Sequence, residues 1–267
     1  MTPDSTHAGR ALAGTNEFAD AEDSAEARSR MSFLDHLDEL RRRLLYSVYA
    51  VAACAVVTFY YWDRLFEFYV AYFRAHGGTL VYNQPMAGFM FSLKISALAA
   101  VIVAAPFIFS QVWLFVAPGL YSREKRVVLP FVTFSSLLFF GGAYFAHMVG
   151  YPTMWKFFAS YERAGLQFFP TLDLAFSLYV KVLLGLGLAF QMPVLVFSLA
   201  RFGLISAGFL LRKFKYAVLI IVVAAAIITP SGDPVTLMVF SAPMLLLYCV
   251  SIGVAWLFAK KRPRAQE

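Results

Sequence analysis

Apolar residues run through this chain in six long stretches, at about 44–62, 95–117, 127–151, 174–199, 216–228 and 235–259, each nearly free of charge. The polar residues gather in the segments between them. A helix needs roughly 20 apolar residues to cross a hydrocarbon core about 30 Å thick, and most of these stretches come near that length. Periodicity alone does not separate helix from strand in such runs, but their length does. Inside lipid every backbone N–H and C=O must be satisfied within the protein, and a helix does this by itself. The pattern predicts an all-α membrane protein with six transmembrane helices.

The fifth stretch is the short one. Residues 216–228 would cover roughly 20 Å at 1.5 Å per residue, less than the core, and Thr229-Pro230 ends the run. Ser231-Gly232-Asp233-Pro234 then makes a tight turn, so short fifth and sixth spans are expected to form a compact, recessed hairpin. Pro106, Pro193 and Pro243 should kink spans two, four and six. After the first span, Leu65, Phe66, Phe68, Tyr69, Val70, Tyr72 and Phe73 precede a His76-Gly77-Gly78 break, which predicts a short helix at the membrane surface. Before it, Phe33, Leu37, Leu40 and Leu44 recur at helical spacing, with Asp35, Asp38, Glu39, Arg41 and Arg42 on other sides. This reads as an amphipathic helix capped by Ser32 and Asp35 that leads into span one. Residues 1–30, rich in Ala, Ser, Thr, Asp and Glu, carry too few large apolar groups to offset ordering entropy and are expected to be a disordered tail. No internal repeat points to an inverted-topology transporter.

Composition agrees with this picture. Of 267 residues, 60% are hydrophobic and 15% charged, more apolar surface than a soluble globule could hide. The net charge of +7 could point to nucleic acid, but the positions of the cations argue otherwise. Arg41, Arg42 and Arg43 precede span one; Arg123, Lys125 and Arg126 lie between spans two and three; Arg201, Arg212, Lys213 and Lys215 lie between four and five. Lys260, Lys261, Arg262 and Arg264 follow span six, so that 31–260 is the membrane domain and 261–267 a basic tail. The opposite segments hold chiefly Arg64, Arg74, Lys156 and Arg163. By the positive-inside rule both termini are cytoplasmic, and the basic excess reflects topology, helped by anionic lipid. Cys54 and Cys249 fall inside spans one and six and are expected to be free thiols.

No His-Glu-x-x-His, Gly-x-Ser-x-Gly or phosphate-loop pattern occurs, and no cofactor or metal site is expected. Two carboxylates flank spans where a receptor for a cation would need them. Glu39 lies just ahead of span one and Glu124 in the short segment between spans two and three. Carboxylates offer the planar pair of oxygens that a guanidinium requires. The plainer readings stand beside this: Glu39 pairs with Arg43 one helical turn on, and Glu124 favours the start of the third helix behind Ser122. Within the spans, Lys94, Gln111, His147, Lys181 and Gln191 are polar. Lys94, His147 and Lys181 are near enough to a span end to snorkel. Gln191 is near mid-span ahead of Pro193, where it either bonds a neighbouring helix or meets a partner.

These residues fall into a known pattern. His36-Leu37-Asp38-Glu39-Leu40-Arg41-x-Arg43 resembles the amino-terminal motif of the TatC family of the twin-arginine protein translocase. Gln111-Val112-Trp113-x-Phe115-x-x-Pro118-Gly119-Leu120-Tyr121, followed by Glu124-Lys125, is similar to its second-span exit. Phe190-Gln191-x-Pro193 resembles its fourth-span motif, and Thr229-Pro230 with Asp233 and Pro243 its last hairpin. The resemblance covers about residues 32–260 in order. It implies a cup-like six-helix protein of the bacterial inner membrane, driven by the proton-motive force, that binds the twin-arginine signal peptides of folded cargo. By the same resemblance, Glu124 and Glu39 read the arginine pair, with His36, Leu37, Arg41, Phe115, Pro118, Tyr121, Lys125 and Arg126 around them. Gln191, Pro193, Thr229 and Asp233 are then intramembrane or partner-facing groups, the partners being TatB-like and TatA-like single-span proteins. The chain departs from the pattern at Phe68-Tyr69-Val70, where members often have proline, at Ala87, often acidic, and at Leu237, often Gln. The alternative outside this family is a proton- or ion-coupled solute carrier using Gln191 and Lys181.

Overall fold

The computed structural model describes residues 36–75, 79–81, 83–116, 128–162, 169–201, 205–229 and 233–258, with backbone only at Val128, Arg201 and Phe258. The chain divides into two units between Tyr46 and Ser47. The first is described from His36, where helix α1 (His36–Tyr60) begins and runs on into the second. Ser32 and Asp35, the expected caps of this helix, lie outside the described residues.

The second unit continues with α2 (Trp62–Ala75), α3 (Ala87–Val116), α4 (Val128–Phe145), a π-helical turn (Ala146–Gly150) and α5 (Tyr151–Ala159). It closes with α6 (Leu172–Ala189), α7 (Met192–Arg201), α8 (Ala207–Arg212), α9 (Phe214–Ile228) and α10 (Pro234–Phe258). Five helical segments are long and apolar enough to cross a membrane: His36–Tyr60, Ala87–Val116, Leu129–Ala159, Leu172–Ala200 and Pro234–Leu257. A sixth apolar helix, α9, has 15 residues, about 22 Å of rise, and is the short fifth expected from the sequence. The sixth is not short: α10 has 25 residues and runs through Pro243. At its start the Asp233 side chain holds the first turn by accepting from Thr236 N.

Proline acts differently at each site. At Pro193 the helix breaks: Phe190 N bonds Leu186 O at 2.9 Å and Gln191 N bonds Leu188 O at 2.9 Å, and a new helix starts at Met192. Pro106 sits inside an unbroken α3. Pro152, not anticipated as a breaker, follows the π turn at the start of α5. A proline lacks an N–H and crowds the preceding turn, and widening that turn to a π turn relieves both. The short helix expected after span one is α2.

The helices pack as α3 on α4, α4 on α6, α7 on α10 and α2 on α3. Where α4 meets α6, glycine permits the approach. A Cβ at Gly142 would lie 2.8 Å from Leu186 O, and one at Gly187 would lie 2.8 Å from the Phe139 ring. Close backbone contact through small residues is the usual device where lipid supplies no hydrophobic drive. Gly185 serves α9 in the same way, with a Cβ there 2.9 Å from Ile228.

Aromatic packing ties α2 to α3, α5 and α6. Tyr69, Phe73, Phe91, Trp155 and Phe176 are each at most 3% exposed. The Phe91 and Phe176 rings meet edge to face at 4.8 Å and Phe73 meets Trp155 at 4.5 Å. Beside them, Val81 N bonds Pro170 O at 3.2 Å and Leu172 N bonds Val81 O at 2.8 Å, joining the segments ahead of α3 and α6. Cys54 and Cys249 are free.

Candidate functional site

In the first unit, Glu39 Oε1 accepts from Arg43 Nη2 at 3.3 Å, one turn along α1. Both side chains are part-buried, Glu39 at 32% exposed and Arg43 at 21%, so the carboxylate is tethered but open to water. A surface pair at this spacing contributes only a few tenths of a kcal/mol. His36, Leu37 and Arg41 are exposed on the same helix, and the Arg42 guanidinium lies 5.7 Å over the Tyr46 ring. Pro118, Tyr121, Glu124, Lys125 and Arg126, with Ser122, lie outside the described residues. Phe115, at the end of α3, is half-buried.

Inside the second unit, two other elements converge on Ser135 of α4. Trp113 Nε1 of α3 donates to its hydroxyl at 2.8 Å, and Gln191 Nε2, in the break before α7, donates to its carbonyl at 3.0 Å. Ser135 is 1% exposed and Gln191 8%. Of the two readings of Gln191, the interhelical bond is realised. The break at Pro193, itself buried, turns the amide towards α4. Around this centre Trp113 packs on Phe131 at 4.7 Å, and Phe131 on Phe197 at 5.3 Å. Gln111 is also buried and bonds Ser110 Oγ at 3.3 Å.

Asp233 is the N-cap of α10. Its Oδ2 accepts from Thr236 N at 2.7 Å, and the Thr236 hydroxyl donates to Oδ1. Both residues are buried, so the cap satisfies donors that lipid could not. Thr229, at the end of α9, is 3% exposed. Its N–H bonds Ala225 O at 2.8 Å, while its hydroxyl oxygen has no partner among the described residues.

Two of the residues expected to snorkel also have partners within the protein. Lys94 forms an ion pair with Asp173, at the start of α6. His147 lies in the π turn, stacked on Tyr72 at 4.0 Å and on Phe68 at 5.6 Å, with Nδ1 sharing a hydrogen bond with the Tyr179 hydroxyl at 2.9 Å. The His147 carbonyl accepts from the Tyr72 hydroxyl. Nearby, Tyr151 donates to Ala175 O at 3.2 Å, which makes Tyr69 the donor in its 3.2 Å bond to the Tyr151 hydroxyl. Burial pushes the Tyr72 hydroxyl up to about 12 and raises that of Tyr69 further. Lys181 is exposed on α6. The tyrosine and histidine network was not singled out from the sequence, where its signal was the run of aromatics over residues 66–73.

Buried hydrogen-bonding groups among long apolar helices are those of a multi-pass helical membrane protein. The chain belongs to the TatC family: the family model of the Sec-independent protein translocase protein TatC matches residues 35–243. It is 43% identical over 256 residues to the Sec-independent protein translocase protein TatC of Koribacter versatilis, covering 91% of this chain and 93% of that one. It is 40% identical over 220 residues to that of Helicobacter pylori J99, covering 82% and 87%. A crystal structure of the twin-arginine translocase receptor TatC superposes with a TM-score of 0.74 at 33% identity, covering 84% of this chain and all of that one. This membership replaces the alternative of a solute carrier.

Proposed function

We propose that this protein is the receptor subunit of a twin-arginine translocase, taking folded export cargo by its signal peptide. Glu39 and Glu124 accept the two guanidinium groups of the peptide, and His36, Leu37, Arg41, Phe115, Pro118, Tyr121, Lys125 and Arg126 surround the bound motif. The observation that carries this reading is the Glu39 carboxylate, already holding the Arg43 guanidinium at 3.3 Å in a pair weak enough to exchange. An incoming arginine makes the same charge-assisted bond, and a second carboxylate at Glu124 makes the site select for a pair. The basic segments support both termini lying in the cytoplasm of a bacterial inner membrane.

TatB-like and TatA-like single-span proteins complete the complex, and of the groups within the spans Thr229 is the one offered to them, since Gln191 and Asp233 are bonded inside the protein. Its buried hydroxyl has no partner among the described residues. The proton-motive force drives the transport step. The test is co-purification of the full chain with a twin-arginine signal peptide, against a twin-lysine peptide as control. Retention of the arginine peptide alone is expected; equal retention of both would remove guanidinium reading from the role.

A further inference from the structure

Between Asp173 and Asp233 the chain contains no acidic residue at all, yet four consecutive positions at the α8–α9 junction carry Arg212, Lys213, Phe214 and Lys215. Among the described residues no carboxylate pairs with any of these three cations. They are nonetheless organised. The Lys213 ammonium lies 5.3 Å and the Lys215 ammonium 5.1 Å from the centre of the same Tyr216 ring, and Arg212 Nε donates to Gly208 O at 3.3 Å. The ring gathers two like charges that would otherwise separate.

The support beneath them is rigid. Tyr248 of α10 donates to Leu210 O at 3.0 Å and its ring lies 5.9 Å from Phe214, while the Ser206 hydroxyl caps α8. Leu210 is buried at 6% exposure, but every residue from Leu211 to Tyr216 is exposed. Exposed Phe209, Leu211, Phe214 and Tyr216 therefore alternate with cations, which is the composition of a segment lying in the headgroup layer. Helix α9, at about 22 Å, is too short for the hydrocarbon core and draws this segment to the depth of the lipid phosphates.

We propose that the α8–α9 junction is a binding site for one anionic phospholipid, with Arg212, Lys213 and Lys215 on its phosphate oxygens and the exposed apolar side chains against its glycerol and upper acyl chains. Such a lipid supplies the counter-charge that this part of the chain lacks, and it pins the short helix at its basic end.

The test uses the full-length protein in nanodiscs of phosphatidylcholine containing phosphatidylglycerol, released into mass spectrometry with bound lipid intact. One retained phosphatidylglycerol per chain is expected. Binding should fall roughly a hundredfold in R212Q/K213Q/K215Q, at about 1 kcal/mol per cation, and remain in the charge-matched control R64Q/R74Q/K156Q. Single changes Lys213→Gln and Lys215→Gln, which perturb the fold least, should each weaken retention several-fold, while Lys213→Arg with Lys215→Arg should preserve it. Equal retention in the two triple variants would overturn the proposal, as would equal retention of phosphatidylethanolamine. Displacement by inorganic phosphate would overturn it too, by making the junction an open anion site instead of a lipid site.

Discussion

The aromatic region around Tyr69 and the first turns of α1 are built on opposite principles. Around Tyr69, side chains from α2, α3, α5 and α6 close on one another: Tyr69 lies 5.4 Å from Phe91 and from Phe176 and 5.3 Å from Tyr179, and its hydroxyl is bonded inside the cluster. Such contacts have many partners each and stabilise by packing. Along residues 36–46 the side chains are mostly exposed, and the Glu39–Arg43 pair is a contact between neighbours on one helix. Groups held that loosely contribute little to stability and remain available to a ligand. The first region makes the protein a scaffold, and the second is where we propose that the signal peptide is read.

If that division is right, substitutions should separate stability from peptide binding. The largest effect should come from Phe176→Ala, which empties the centre of the aromatic cluster. A loss of about 3–5 kcal/mol is expected in detergent unfolding, with peptide binding per folded molecule unchanged. A loss under 1 kcal/mol would mean that the cluster is not the clamp it looks to be. Next is the glycine contact, where Gly187→Val drives a side chain into Phe139 and should cost about 1–3 kcal/mol, read as a lowered melting temperature. Gly88→Val, with open space around the added atoms, is the control.

The recognition side should behave in reverse. Glu124→Lys or Glu39→Gln should weaken twin-arginine peptide binding by about 1.5–3 kcal/mol, ten- to a hundredfold, and leave the melting temperature in place. Unchanged affinity in both would end the assignment of these carboxylates. Arg43→Gln frees Glu39 of its resident partner. Because that pair is worth only a few tenths of a kcal/mol, binding should tighten about twofold; weaker binding would instead make Arg43 part of the site.

The smallest effect concerns pH. The Tyr72 hydroxyl is raised by burial from its ordinary 10 to about 12, so the folded protein keeps a proton that the unfolded chain gives up. Its contribution is therefore complete below pH 10 and is lost as pH rises towards 12. A melting temperature that is level up to pH 10 and falls above it is expected, with a shallower fall in Tyr72→Phe. An identical fall in that variant would assign the effect to other groups.

Part of this molecule was legible residue by residue. The six apolar helices follow from run length, the short α9 from the Thr229-Pro230 stop, the break at Gln191 from Pro193, and α2 from the aromatic run before the His76-Gly77-Gly78 break. The Glu39–Arg43 pair follows from spacing along one helix. All of these are local: the length of an apolar run, a missing N–H or a one-turn separation can be read without knowing what lies across the fold.

Other features depended on the tertiary structure. The carbonyl that receives the Gln191 amide is 56 positions away, at Ser135; the carboxylate of Lys94 is 79 away, at Asp173; and the hydroxyl bonded to the His147 carbonyl is 75 away, on Tyr72. For Lys94 and His147 the sequence shows how far each side chain is from the end of its span, not what stands beside it. The same holds for α10, whose first turn is held by the buried Asp233 cap. By itself the sequence determined which segments are helices, which would enter lipid and which family they form. Only the packed structure decided where each buried polar group finds its partner, because hydrogen bonds in a low-dielectric interior are set by neighbours in space and not by neighbours along the chain.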